Sequence, residues 1–254
     1  MFFRYVIYIL FFYAPILMAG EIRVAVASNF LSTMKDIQAL YESESGDQLI
    51  ISAGSTGKLY AQIYHGAPYD VFLSADERRP NQLITDGHAV SGSQIPYALG
   101  RLSLWSAQKK NTGANCKEIL ESGNHGRVAT ANPKTAPYGT ATSEVLEQMG
   151  LIKQLKGNMA RGENIGQTFQ YVRTGNAELG FVAQSQLATL KHIPGCYWHI
   201  PAHFHAPIVQ NAVLLKRARD ADSANRFLAF LRSKQARSLI LSAGYGLPAQ
   251  NAIK

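Results

Sequence analysis

Short apolar runs rich in β-branched residues alternate with segments of helical periodicity along most of the chain. Residues 22–27 predict a strand, and the apolar positions of residues 30–41 then recur at helical spacing. Two further strands are predicted over residues 48–53 and 70–74, with a short helix over residues 59–64 between them. Strands that alternate with helices favour a parallel sheet covered by helices on both faces.

The same alternation begins again in the middle of the chain. Strands are predicted over residues 101–106, 127–131 and 179–182, an extended piece over residues 158–162, and helices over residues 140–149 and 166–173. The return of the pattern indicates two halves of related architecture rather than one continuous sheet.

A last strand and two helices are predicted near the C-terminus, over residues 208–215, 224–231 and 235–242. We therefore expect an α/β fold of two lobes joined by two chain crossings, near residues 98–100 and 207–210. The expected division is residues 1–20 as a signal peptide, residues 21–98 plus 208–254 as lobe 1, and residues 99–207 as lobe 2.

The N-terminus has the features of a secretory signal peptide. Arg4 gives a positive start, residues 5–18 are almost wholly apolar, and small residues follow at Ala19 and Gly20. A membrane anchor is disfavoured because a spanning helix needs about 20 apolar residues, and this stretch is shorter and contains Pro15. We expect cleavage near Ala19 or Gly20 and a soluble, exported protein.

The chain contains two cysteines, Cys116 and Cys196. In an exported protein two cysteines are able to form a disulfide. The alternative is two separate buried thiols, and the sequence leaves both possibilities open because it does not give the geometry of the pair.

Four short polar steps connect an apolar or extended segment to a predicted helix. The steps are Ser28-Asn29, Ser55-Thr56-Gly57, Tyr138-Gly139-Thr140 and Asn164-Ile165-Gly166. A helix start attracts anions because its first N–H groups lack partners and the helix dipole is positive there. Four such starts predict a pocket for a small oxyanion, in which neutral donors suffice because each hydrogen bond to an ion contributes about 1.5–3 kcal/mol.

Each step also has a purely structural interpretation. Ser28 or Asn29 alone is more often a helix N-cap than a ligand. Residues 55–58 resemble the end of a phosphate-binding P-loop, but Ser52 and Leu59 stand where that motif requires glycine and a hydroxyl residue. The nucleotide interpretation therefore fails, and the anion interpretation depends on the four steps as a set.

Other classes of function have weaker support. The net charge is +8, but lysine and arginine form no run of the kind that nucleic-acid-binding proteins carry, so we expect no nucleic-acid partner. His199, His203 and His205 could bind a metal, although no carboxylate or cysteine other than Cys196 has suitable spacing. An α/β-hydrolase mechanism lacks its Gly-x-Ser-x-Gly motif.

Six segments spread along the chain form a set: residues 25–30 (AVASNF), 54–60 (GSTGKLY), 66–76 (GAPYDVFLSAD), 132–139 (NPKTAPYG), 162–165 (GENI) and 175–182 (GNAELGFV). Together they resemble segments of the periplasmic molybdate-binding proteins of ABC importers. The resemblance covers essentially the whole chain after the apolar N-terminus. The resemblance implies a two-lobed type II periplasmic-binding fold with the ligand in the cleft between the lobes.

The resemblance also implies a function and a ligand set. A tetrahedral molybdate or tungstate would be held by neutral hydrogen bonds, without a cofactor, a direct metal ligand or any catalysis. The implied ligand residues are Ser28, Asn29, Ser55, Tyr138 and Ile165, with Thr56 and Asn164 beside them. Tyr138 and Ile165 would contribute backbone N–H groups.

One position departs from the family pattern. Some members carry a tyrosine after the Gly-Phe-Val strand, where this chain has Ala183, so the ring of Tyr138 is expected to compensate. The implied partners are the membrane permease and ATPase subunits of an ABC importer, and the protein itself is expected to be a monomer. The main alternatives are a binding protein for sulfate, phosphate or another small anion, and an enzyme on a similar fold.

Overall fold

The computed structural model describes residues 20–249. It contains ten strands and nine α-helices within that range. The strands are β1 (Glu21–Ala27), β2 (Gln48–Gly54), β3 (Val71–Ser74), β4 (Ile95–Gly100), β5 (Leu102–Ser106), β6 (Val128–Ala131), β7 (Met159–Gly162), β8 (Leu179–Ala183), β9 (Cys196–His199) and β10 (Ile208–Leu214). The predicted signal peptide lies outside the described residues, apart from Gly20.

The helices begin and end close to the polar and glycine positions that the sequence offers. They are α1 (Leu31–Ser45), α2 (Thr56–Tyr64), α3 (Arg78–Thr85), α4 (Cys116–Ser122), α5 (Pro137–Gln148), α6 (Ile165–Arg173), α7 (Gln184–Ala188), α8 (Ala221–Phe230) and α9 (Lys234–Ser242). Gly46 ends α1 with a left-handed φ of 76°, which glycine adopts without steric cost. No helix among the described residues is long and apolar enough to cross a lipid bilayer.

The strands form two five-stranded sheets that have the same succession of parallel and antiparallel neighbours. The first sheet runs β2-β1-β3-β10-β4 and the second runs β7-β6-β8-β5-β9. In each sheet three neighbouring strands are parallel, and the fourth strand is antiparallel to both of its neighbours. The predicted alternation is therefore present, and the predicted parallel pairing holds for two of the four strand pairings in each sheet; the other two are antiparallel, so both sheets are mixed.

Both sheets are covered by helices on their two faces. In β1, Val24 and Val26 pack with α1 and α8 on one side of the first sheet, while Ala25 packs with α2 and α3 on the other. In the second sheet, α4 and α5 cover one face and α6 and α7 cover the other. Alternating burial on the two faces follows from the two-residue period of a strand.

The chain passes between the two sheets at two places. It leaves the first sheet at Gly100, where β4 ends, and enters the second at Leu102. It returns between His199, where β9 ends, and Ile208, where β10 begins. Strands β4 and β10 are paired with each other beside these crossings, so they form the connection that must bend if the lobes move.

Cys116 and Cys196 form a disulfide, with their Cα atoms 5.5 Å apart. The bond joins the first residue of α4 to the first residue of the edge strand β9. The alternative of two free thiols is therefore excluded. The pairing also removes Cys196 from the set of metal ligands that the sequence had left open.

Candidate oxyanion site between the sheets

The four polar steps meet at one small cavity between the two sheets. The space open to the centre of a water-sized sphere is only about 10 Å³, far below the roughly 300–1,000 Å³ of pockets for drug-sized ligands. It therefore suits a ligand of a few heavy atoms. Its lining consists of Ala27, Ser28, Asn29, Gly54, Ser55, Thr56, Ala75, Ala136, Pro137, Tyr138, Asn164 and Ile165.

All residues that the sequence suggested as ligands lie on this cavity. Ser28, Asn29, Ser55 and Thr56 come from the side of the first sheet, and Tyr138, Asn164 and Ile165 come from the side of the second. No side chain of the lining carries a formal charge. An anion placed here would be held by dipoles and hydrogen bonds alone.

Three of the surrounding helices present unpaired first-turn N–H groups. Within residues 20–249, the N–H groups of Thr56, Tyr138 and Ile165 have no protein acceptor. Pro137 is the first residue of α5, where its missing N–H is not needed. These N–H groups, together with the helix dipoles, give the cavity a positive potential without a positive residue.

Ser28 and Ser55 keep a hydroxyl proton available. Ser28 Oγ accepts a hydrogen bond from Gly166 N–H at 3.4 Å, and Ser55 Oγ accepts one from Lys58 N–H at 3.4 Å. Because a serine hydroxyl is both a donor and an acceptor, each retains its proton for an oxyanion. Ser55 is thus an N-cap of α2 as well as a candidate ligand, whereas Ser28 makes no capping bond to its own helix.

Asn29 differs from the two serines because its side chain points away from the cavity. Asn29 Nδ2 donates to Gln210 Oε1 at 2.9 Å and to the Tyr245 hydroxyl at 3.1 Å. The Asn29 carbonyl accepts from Tyr245 and Ser185 at 2.8 and 3.2 Å. The backbone N–H of Asn29 is what remains for a ligand.

Thr56 and Asn164 use their side chains for local structure. Thr56 Oγ1 accepts from Ala75 N–H at 3.2 Å, and Asn164 Oδ1 accepts from Gln167 N–H at 3.0 Å. Thr56 therefore fixes the loop after β3 against α2, and Asn164 is the N-cap of α6. Both residues support the cavity in addition to lining it.

The hydroxyl of Tyr138 points to the connection between the sheets. It accepts a hydrogen bond from Gln210 Nε2 at 3.4 Å, and a Cβ placed on Gly100 would lie only 2.5 Å from it. Burial, with smaller effects from Tyr245 and Tyr97, raises the pKa of Tyr138 well above its usual value. The ring is therefore neutral, and its polar end serves the chain crossing.

The tyrosine absent at Ala183 is not replaced by another side chain from β8. Ala183 is buried, and its N–H donates to Gln186 Oε1 at 3.0 Å. Gln186 Nε2 in turn donates to the carbonyl of Ile165 at 3.2 Å. Gln186 thus ties the end of β8 to the start of α6 and fixes the position of the Ile165 N–H.

The two sides of the cavity are joined by direct hydrogen bonds. Besides the bond between Ser28 and Gly166, the N–H of Gly57 donates to the carbonyl of Thr135 at 2.8 Å. Arg79 Nη2 donates to the carbonyl of Lys134 at 3.0 Å. The structure is therefore a closed arrangement of the two sides.

The residues that sequence reasoning missed are those that hold the cavity together. Gln210, Tyr245 and Gln186 are not among the predicted site residues, and Gly57 is predicted only as part of a polar step. A signal was present for Gln210, which is a polar residue within the otherwise apolar start of a predicted strand, Ile208-Val209-Gln210.

The metal alternative finds no support in the geometry. His199 Nδ1 lies 2.9 Å from Ser103 Oγ, and His205 Nδ1 lies 2.7 Å from the carbonyl of Ala206. Among the described residues, no three His, Cys, Asp or Glu side chains are grouped as a metal site would require. The pKa of His199 is lowered by burial and by Arg101.

A wider groove lies beside the cavity and shares Ala75 and Pro137 with it. Its lining includes the carboxylates of Asp76, Glu77 and Glu144 together with Arg78 and Arg79, and Arg79 is paired with Asp76. The carboxylates therefore outnumber the guanidinium groups there, so the smaller cavity, where the helix starts converge, is the better candidate site for an oxyanion.

Comparison with known proteins agrees with this geometry. The family model for bacterial extracellular solute-binding proteins matches residues 22–246. The molybdate-binding protein ModA of Azotobacter vinelandii is 42% identical over 233 residues, covering 90% of this chain and 91% of the relative. ModA of Rhodobacter capsulatus is 40% identical over 230 residues, covering 89% of this chain and 88% of the relative.

Solved structures give the same relationship. The periplasmic molybdate-binding protein of Azotobacter vinelandii superposes with a TM-score of 0.86 at 38% identity, covering 90% of this chain and 100% of that one. The sulfate-binding protein SubI of Mycobacterium tuberculosis superposes with a TM-score of 0.75 at 13% identity, covering 92% of this chain and 88% of that one, which shows a shared fold alone. The chain belongs to the bacterial extracellular solute-binding protein family.

Proposed function

We propose that this protein captures molybdate, and also tungstate, in the periplasm and delivers it to an ABC importer. The observation that carries the proposal is the convergence of four helix starts on a small cavity without charged side chains. The relatives named molybdate-binding protein, at 40–42% identity over most of the chain, support molybdate as the ligand. The protein acts by binding and release and is not an enzyme.

In this proposal the oxyanion is held from both sides. Ser28 and Ser55 donate their hydroxyl protons, and Asn29, Tyr138 and Ile165 donate backbone N–H groups. Thr56 and Asn164 support the helix starts. No cofactor takes part, because the hydrogen bonds to the anion are sufficient to hold it.

The proposed division of the chain follows the two crossings. Residues 21–98 plus 208–254 form lobe 1, residues 99–207 form lobe 2, and residues 1–20 form a signal peptide cleaved near Ala19 or Gly20. The protein is a monomer that docks in its closed form on a membrane permease, with a separate ATPase subunit supplying the energy. The closed arrangement of the lobes distinguishes the ligand-bound protein from the empty one, because the ligand favours one of two lobe arrangements.

Thermal melting against a panel of oxyanions tests the ligand. Mature protein is melted with molybdate, tungstate, sulfate and phosphate at equal concentrations. A ligand present at about 100 times its dissociation constant adds about 2.7 kcal/mol of stability, so molybdate and tungstate should raise the melting temperature clearly. If they leave it unmoved while sulfate or phosphate raises it, the molybdate assignment is wrong.

A further inference from the structure

Gln210 connects the two sides of the oxyanion cavity through one buried amide. Its Oε1 accepts hydrogen bonds from Asn29 Nδ2 at 2.9 Å and from the Tyr97 hydroxyl at 3.0 Å. Its Nε2 donates to the hydroxyl of Tyr138 at 3.4 Å. Asn29 belongs to the first-sheet side of the cavity and Tyr138 to the second-sheet side.

Gln210 lies where the two strands of the chain crossings pair, so its hydrogen bonds tie the cavity to the connection between the sheets. It lies on β10 two residues after the strand begins, and the pairing of β10 with β4 shifts register between Gln210 and Asn211. Tyr97 lies on β4 itself. The amide is therefore fixed to both strands that continue into the chain crossings.

Two of the three partners of Gln210, Asn29 and Tyr138, each carry a candidate ligand group at their other end. Fixing the Asn29 side chain leaves its backbone N–H for the cavity. Tyr138 spans from its hydroxyl at Gln210 to its unpaired N–H at the cavity through a rigid ring. The separation of these two N–H groups thus depends on how Gln210 holds both side chains.

The surroundings leave this network little freedom to adjust. Gln210 is fully buried, and Tyr97, Tyr138 and Asn29 are nearly so. Close packing makes buried groups take discrete rather than continuous positions. The hydroxyl of Tyr138 is also confined by Gly100, where a Cβ would lie only 2.5 Å from it.

From this geometry we propose that Gln210 is a positioning residue that determines which tetrahedral oxyanion the closed cavity accepts. The inference rests on the proposed oxyanion-binding function. Molybdate and tungstate are larger than sulfate, and donors held at a fixed separation favour one size because hydrogen bonds weaken steeply with poor geometry. Gln210 touches no ligand itself and acts through Asn29 and Tyr138.

The test compares selectivity rather than affinity alone. Dissociation constants for molybdate, tungstate, sulfate and phosphate are measured by titration calorimetry, with weak ligands measured by displacement. The variants are Gln210→Met, which keeps the side-chain length without the amide, Tyr138→Phe, which removes only the hydroxyl, and their double variant. Thermal melting without ligand records stability separately.

We expect the preference for molybdate over sulfate to fall at least tenfold in both single variants. The double variant should show no further loss beyond the larger single effect, because both changes break the same bond. Preferences within threefold of the parent in both single variants, or additive losses in the double variant, would overturn the proposal. If Gln210→Met does not fold, Tyr138→Phe decides alone.

Asn211→Leu is the matched control. Asn211 is the next residue of β10 and is buried, but its side chain bonds to Gln94 and to the carbonyl of Val209, outside the cavity network. It should lower stability without altering the selectivity. A selectivity loss as large as that of Gln210→Met would show a general effect of damage to β10 and overturn the assignment.

The same titrations separate this inference from the proposed function. If the parent protein prefers sulfate or phosphate, the molybdate assignment fails, while the variants still test Gln210 against that preferred anion. If the parent binds none of the four oxyanions, both proposals fail. If the parent prefers molybdate and the variants keep its preference, only the role of Gln210 fails.

Discussion

Ser28 and Ser55 each lie on the cavity with a hydroxyl that, among the described residues, accepts a hydrogen bond and keeps its proton for a ligand. We expect Ser28→Ala and Ser55→Ala each to weaken molybdate binding by about 1.5–3 kcal/mol, the usual contribution of a hydrogen bond to an ion. That range corresponds to roughly a 10–150-fold rise in the dissociation constant, measurable by calorimetry. The reason is the loss of one neutral donor from a site that has no charged side chain.

Ser43→Ala is the control for these substitutions. Ser43 lies on the exposed face of α1, and its hydroxyl donates to the carbonyl of Leu40 at 2.7 Å. This variant should bind as the parent does. Parent-like affinity in a Ser28→Ala and Ser55→Ala double variant would rule out the proposed pocket.

At the level of single residues, the sequence indicated which positions surround the cavity but not which atom each one offers. Asn29 shows the difference. Its place beside Ser28 is visible in the sequence, whereas the direction of its amide depends on Gln210 and Tyr245, which are 181 and 216 residues away. Only the folded chain brings these partners together, so a side-chain role and a backbone role could not be separated beforehand.

Among the elements, the helices around the cavity were the most predictable. Their starts carry local signals, such as the Ser55 and Asn164 caps and Pro137 at the first position of α5. Strands β4 and β9 were missed because one contains Pro96 and the other is a four-residue edge strand. The antiparallel direction of β5 and β10 could not be predicted because strand direction is decided by pairing with distant parts of the chain.

The disulfide between α4 and β9 fastens an edge strand that would otherwise be held on one side only. We expect the double variant Cys116→Ser and Cys196→Ser to unfold at lower denaturant concentration, with a loss of about 2–4 kcal/mol. The bond closes a loop between residues 80 positions apart, which restricts the unfolded chain.

Chemical denaturation with and without a reducing agent checks this expectation. Reductant should destabilise the parent protein and leave the serine variant unchanged. The molybdate affinity of the folded variant should stay close to that of the parent, because neither cysteine lines the cavity. Equal stability of parent and variant would show that the bond contributes nothing beyond the packing of α4.

At the scale of the whole molecule, closure depends on backbone groups approaching each other across the cleft. Gly57 marks the tightest approach from α2. A Cβ placed there would lie 3.0 Å from the Cα of Thr135 and 3.1 Å from its carbonyl oxygen, both on the opposite side. The N–H of Gly57 donates to that same carbonyl at 2.8 Å. The glycine is therefore a condition for the closed arrangement rather than for the folding of α2.

Gly57→Ala should consequently lower the affinity for molybdate without lowering the stability of the ligand-free protein. Alanine favours a helix over glycine by about 0.5–1 kcal/mol, so the ligand-free protein should melt at the same or a slightly higher temperature. Overpacking in the closed form costs about 1–3 kcal/mol, so the affinity for molybdate should fall about 5–150-fold. Melting without ligand and calorimetric titration measure the two effects on the same sample.

Lys58→Ala is the control for Gly57→Ala because it changes a neighbouring contact across the same cleft. Lys58 pairs with Glu163 of the opposite side, and both side chains are more than half exposed. Exposed ion pairs contribute at most about 1 kcal/mol, so this variant should lose about fivefold in affinity at most.

Parent-like affinity of Gly57→Ala would mean that the ligand is held in a more open arrangement than this one. A large loss in Lys58→Ala would instead place the closing force in the ion pair. Tight binding lost only in Gly57→Ala would identify backbone contact between Gly57 and Thr135 as the step that closes the protein around its ligand.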